Sequence, residues 1–132
     1  MSGNLILVAD DDRVLSSLLT TFLRGQGFEV EGTFDAIQTW MVALRTRPAA
    51  ILLDIKMPGG TGLDVLKKLK GSTKTNGIPV VTMSAIDDPT LPTTAKSLGA
   101  EEFMAKPVDL AHVYQVLCRL LGKTSPPSTP TA

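Results

Sequence analysis

Residues 49–66, AAILLDIKMPGGTGLDVL, decide how the rest of this chain is read. The apolar run from Ala50 to Leu53 does not alternate, the mark of a strand buried on both faces. It ends in a carboxylate, Asp54, and is then broken by Pro58, Gly59, Gly60 and Gly62. A charge at the end of a buried strand is costly unless something pairs with it. Strands of this kind belong to parallel sheets covered by helices on both sides, so strands and helices should alternate along the chain.

They alternate five times. Leu5 to Ala9 reads as the first strand, followed by Val14, Leu15, Leu18, Leu19, Phe22 and Leu23 at helical spacing, with Gly25 and Gly27 ending the helix. Phe28 to Gly32 mixes apolar and charged residues and is expected at a sheet edge. Asp35 is placed to cap a helix carrying Ile37, Trp40, Met41 and Leu44. The third strand, Ala50 to Leu53, leads to a helix with Leu63, Val65, Leu66 and Leu69, and IPVVTMSA is the fourth strand. Pro89 and Pro92 should delay the fourth helix until about Thr93 and keep it short. EEFMAK is the fifth strand, and Asp109 caps a last helix with Leu110, Val113, Val116, Leu117, Leu120 and Leu121.

This pattern predicts an α/β fold, a doubly wound (βα)5 unit of the flavodoxin kind with a parallel five-stranded sheet of order 2-1-3-4-5. Residues 1–122 form one domain, and residues 123–132, KTSPPSTPTA, read as a disordered tail or the start of a linker. With 132 residues, 43% apolar, the chain can bury one core. Zero net charge gives no electrostatic reason for this chain to bind nucleic acid. No apolar stretch is long enough to span a bilayer, the N-terminus turns acidic where a signal peptide would stay apolar, and the single cysteine, Cys118, suits a reducing compartment. The expected setting is the cytoplasm, with no membrane contact.

In a doubly wound sheet of this order, ligands bind beyond the carboxyl ends of the first and third strands. Those strands end in ADDD and LLD. Asp12 suits the cap of the first helix, whereas Asp10 and Asp11 should face Asp54. Close carboxylates repel unless a cation neutralises them, and an all-oxygen set selects a hard ion, best Mg²⁺. Ser84 and Lys106 stand at the ends of the fourth and fifth strands. A lone serine there is usually a turn residue and a lysine a solvated charge, but a carboxylate, an acidic pair, a hydroxyl and an ammonium on one rim match phosphoryl transfer. Asp54 would then be a phosphate acceptor forming an aspartyl-phosphate.

Four pieces, ILVADDD, LLDIKMPGGTGLDVL, VVTMSA and KP, occur in the order and at the intervals seen in the receiver domain of bacterial two-component response regulators. The chain resembles that family from about Asn4 to Leu121. The resemblance implies that Asp10, Asp11, Asp54 and the backbone carbonyl of Lys56 hold Mg²⁺. It also implies that Asp54 is phosphorylated by a histidine kinase or phosphotransfer protein, and that Lys106 contacts the phosphoryl group. Ser84 would be the switch hydroxyl and Phe103 the aromatic that follows it, reshaping the face of fourth helix, fifth strand and fifth helix for an output domain or downstream protein. The Lys106–Pro107 bond resembles the family's cis peptide. Lys56 and Ile86 occupy positions linked to dephosphorylation in the family.

Departures carry expectations too. Ser84 stands where threonine is commoner, Phe103 lacks a tyrosine hydroxyl, and Val116 replaces the arginine of regulators that dimerise through that face, so that symmetric dimer is not expected. His112 reads as a surface residue and Cys118 as a small core residue. Two other readings stay open. A haloacid-dehalogenase-like phosphohydrolase also uses a strand-end aspartate, but needs an acid two residues on, where this chain has Lys56, and a nucleophile on the first strand. A receiver-like binding domain that works without phosphate would tend to lack one of the acidic or lysine positions. The first reading makes the chain a signalling domain rather than an enzyme, limited to Mg²⁺-dependent self-phosphorylation and autodephosphorylation.

Overall fold

A computed structural model of the chain describes residues 4–85 and 88–123. Five strands form one sheet: β1 (Leu5–Ala9), β2 (Glu29–Thr33), β3 (Ala50–Asp54), β4 (Val80–Ser84) and β5 (Glu102–Ala105). All four pairings are parallel, in the order 2-1-3-4-5. The connecting helices are α1 (Arg13–Gly25), α2 (Ala36–Thr46), α3 (Gly62–Gly71), α4 (Leu91–Ser97) and α5 (Leu110–Leu120). One addition escaped the sequence pattern. Lys56–Met57 and Gly60–Thr61 form a two-residue antiparallel pair in the loop after β3. Counting these two short strands, the long ones are first, second, third, sixth and seventh along the chain, which leaves the fold unchanged.

The sheet carries a core on each side. Leu7, Ala9, Ile51 and Leu53 pack toward α2, α3 and α4, while Ile6, Val8, Leu52, Val81 and Met83 pack toward α1 and α5. Alternate side chains of one strand therefore serve opposite cores, and an unbroken apolar run results. Each fully buried leucine contributes on the order of 2 kcal/mol. Leu7, Leu19, Leu23, Leu52, Leu53, Leu66, Leu69 and Leu117 are all fully buried, so this scaffold can hold polar groups at the strand ends.

Capping follows the aspartates. Asp12 Oδ1 accepts from the N–H groups of Val14 and Leu15 at 3.0 and 3.1 Å, Asp35 Oδ1 from Gln38 at 2.7 Å, and Asp109 Oδ1 from Ala111 at 2.9 Å. Gly27, at φ 96°, takes the left-handed position after α1.

Three expectations need correction. The fourth helix starts at Leu91, not near Thr93. Pro92 is its second residue, where no intrahelical N–H partner is required, and Asp88 organises the entry by accepting from Thr90 N–H and Oγ1 and from Leu91 N–H. On α1, Val14 and Leu18 are exposed, and the buried residues are Ser16, Leu19 and Leu23. On α2, Ile37 and Met41 face outward, and the buried face is Ala36, Thr39, Val42 and Ala43. Both helices carry apolar residues on two sides, and only one of those sides packs on the sheet.

Lys123, the first residue of the expected tail, is tied to the domain: its N–H donates to Cys118 O at 2.8 Å and its Nζ to Asn4 Oδ1 at 3.0 Å. Residues 124–132 of that segment, and Ile86, lie outside the described residues. Among the described residues no helix is long and apolar enough to cross a membrane.

Candidate functional site

Four strand ends meet on one rim. Asp10 follows β1 and is fully buried; its N–H donates to Thr33 O on β2 at 3.0 Å and its Oδ1 accepts from Asp12 N–H at 2.9 Å. Asp54 closes β3 and is 3% exposed, with Oδ1 accepting from Lys56 N–H at 3.3 Å. Ser84 closes β4, also buried. Lys106 follows β5, aligned by its N–H donating to Ser84 O at 2.9 Å. The Lys106–Pro107 bond is cis.

The charges converge. Lys106 Nζ stands 2.8 Å from Asp10 Oδ2 and 3.4 Å from Asp54 Oδ1. Carboxylate oxygens of Asp10, Asp11 and Asp54 lie within 4.8 Å of one another, with Asp11 on the exposed side. Burial, with Asp10's charge behind it, pushes Asp54 up to about 6, against the pull of Lys106 and the Lys56 N–H. Burial would lower the Lys106 pKa, but its bond to Asp10 and the nearby Asp54 carry it above the ordinary lysine value. One ammonium thus balances two buried carboxylates only in part. A donor set made solely of oxygens suits Mg²⁺ rather than a soft metal.

Ser84 Oγ is buried and has no hydrogen-bond partner among the described residues. It stands at the end of β4, next to the strand that ends in Asp54.

Gly62 escaped the sequence reading as a site residue. A Cβ there would lie 2.2 Å from Asp54 O, and Gly62 N–H donates to Ile55 O at 2.6 Å. The first residue of α3 is therefore pressed on the backbone that presents Asp54, while Thr61 and Asp64 close a capping box around it. A glycine directly after a capping threonine was the available signal.

The remaining expected residues sit as follows. Lys56 is exposed, directly after the site strand. Phe103 pairs in register with Thr82 and packs, half-buried, against the core shared by α2, α3 and α4. Val116 is buried between α5 and the sheet, so it presents nothing at the α5 surface. His112 is exposed, and Cys118 is buried.

The family profile described as Response regulator receiver domain matches residues 6–117. MtrA, a DNA-binding response regulator of Mycobacterium tuberculosis strain H37Rv, is 35% identical over 102 residues, 77% of this chain and 43% of MtrA. The transcriptional regulator NtrC of Azospirillum brasilense is 34% identical over 128 residues, 97% of this chain and 26% of NtrC. The chain spans less than half the length of these relatives. Among solved structures, the receiver domain of NtrX from Brucella abortus superposes with a TM-score of 0.82 at 28% identity, covering 90% of this chain and 99% of that one. The receiver domain of the sensor histidine kinase PA1611 from Pseudomonas aeruginosa PAO1, solved with magnesium in its active-site cleft, gives 0.83 at 25% identity, covering 92% and 100%.

Proposed function

The chain belongs to the response regulator receiver family, and on that premise we propose that Asp54 accepts a phosphoryl group from the phosphohistidine of a histidine kinase or phosphotransfer protein. The observation that carries this reading is the convergence of Asp10, Asp54, Ser84 and Lys106 from four strand ends onto one rim. An Asp54 carboxylate oxygen attacks phosphorus, the bond from phosphorus to the donor imidazole breaks, and the imidazole leaves with a proton from solvent. Asp10, Asp11, Asp54 and the Lys56 carbonyl are the residues to hold Mg²⁺, which when bound supplies positive charge against the phosphoryl oxygens. The PA1611 structure supports that assignment by likeness.

The orphaned Ser84 hydroxyl finds an acceptor on the phosphoryl group, and Lys106 shifts its ammonium from Asp10 toward the same oxygens. Ser84 moving inward leaves room for Phe103, and α4, β5 and α5 then offer a changed face to an output domain or a downstream protein. The chemistry extends to self-phosphorylation from small phosphodonors and to autodephosphorylation, not to turnover of a substrate. Family membership also argues against the phosphohydrolase reading, since Lys56 stands where its acid would be. The domain would work in the cytoplasm, without membrane or nucleic-acid contact of its own; residues 123–132 would be a tail or the start of a linker.

Acetyl phosphate with Mg²⁺ should add one phosphoryl group to the wild-type chain and none to Asp54→Asn, read by intact mass. Equal labelling of the two proteins would refute the assignment. Steady turnover of a generic phosphomonoester would favour the hydrolase.

A further inference from the structure

Among the described residues, nothing covers the outer face of α2. Ile37 is 66% and Met41 62% exposed, one turn apart, with half-buried Trp40 and Leu44 beside them. From Ala36 to Thr46 the only charged residue is Arg45. A helix apolar on both its inner and outer faces is normally covered on both. The exposed pair lines a groove of about 740 Å³ that also takes in Asp35, Arg45 and Pro58. The other exposed large apolar residues among the described ones, Val14 and Leu18 on α1, line a separate groove with Lys106, Pro107 and Leu110 beside the site.

We propose that this groove is a homodimer contact in which α2 packs antiparallel against α2 of a second copy. The charge pattern selects that occupant. Asp35 stands at the N-terminal end of the helix, and Arg45 and Arg47 at its C-terminal end, with Ile37 and Met41 between. Reversed against itself, this pattern is complementary: with Met41 facing Met41 on the two-fold axis, Asp35 meets Arg47 and Ile37 meets the aliphatic stem of Arg45. The two helix dipoles also oppose favourably. Methionine adapts readily to its own copy. Arg45 already pairs with Glu31 at 3.0 Å, but both side chains are exposed, and such a pair costs little to share.

An 11-residue helix spans about 16 Å, so the contact is small and its affinity weak, micromolar to millimolar. It does not rest on the phosphorylation reading. α2 packs over β1 and β2, toward the edge of the sheet opposite β5, away from β5 and α5.

Sedimentation velocity of the whole chain, in a series up to about 1 mM, tests the proposal. The expected result is a concentration-dependent dimer that Met41→Asp weakens at least about tenfold without changing the unfolding midpoint. Met41→Cys should form a disulfide-linked dimer under mild oxidation, and Val14→Cys, at an equally exposed position, should not; the native Cys118 is buried and silent. A chain monomeric throughout overturns the proposal, as does a dimer indifferent to Met41→Asp. Equal cross-linking of Val14→Cys and Met41→Cys overturns it too. A monomer whose groove binds a different protein would assign α2 to that partner instead.

Discussion

Asp54 is held in a state that opposes stability. Its pKa, about 6 in the fold against 3.8 for a free side chain, means that the folded protein binds this proton more tightly than the unfolded one. The sign follows: as pH rises from about 4 to about 6, the metal-free protein loses stability, and above that range the loss is complete. The shift corresponds to an upper value of about 3 kcal/mol. Asp54→Asn should therefore stabilise the metal-free protein at pH 7 by roughly 1–3 kcal/mol in urea denaturation, with the gain vanishing below about pH 4. No gain at pH 7 would mean that Lys106 neutralises the pair fully. Gly62 carries the opposite lesson, that of shape. A methyl group 2.2 Å from Asp54 O must push that backbone away, so Gly62→Ala should cost at least about 2 kcal/mol and distort the site. A urea midpoint matching the wild type would contradict this close packing.

At the scale of elements, the strands and the buried faces of α3 and α5 were legible, and the faces of α1 and α2 were not. β1 and β3 read as unbroken apolar runs because both sides of the sheet are covered, and their terminal aspartates stood out as costly. α1 and α2 gave an ambiguous stripe, because apolar residues on their outer sides match the same spacing as those inside. The short pair Lys56–Met57 and Gly60–Thr61 depends on backbone pairing in a Pro- and Gly-rich loop, which carries no side-chain periodicity. The run Asp10–Asp11–Asp12 was separable into roles because only Asp12 stands at the capping distance from Val14 and Leu15. Asp12→Ala should thus lower stability by about 1 kcal/mol and leave phosphorylation by acetyl phosphate at the wild-type extent. Loss of labelling in that variant would move Asp12 from cap to site.

The topology brings residues from positions 10 to 106 together because all five strands run parallel and end at the same edge. That convergence was legible from strand-end residues alone. The ion pair of Lys106 with Asp10, shorter than the one with Asp54, was not, because it depends on how far the lysine reaches across the crevice. In the proposed cycle, the phosphoryl group draws Lys106 and Ser84 to one point at the β4–β5 edge of the sheet, while α2 lies toward the other edge and would keep its own contact. The most direct measurement is borohydride trapping after acetyl phosphate treatment, which reduces a phosphoaspartate to homoserine that peptide sequencing can locate. Homoserine at position 54 alone is the predicted result; homoserine at position 10 or 11, or at none of the three in a protein that has gained phosphate, would contradict the account.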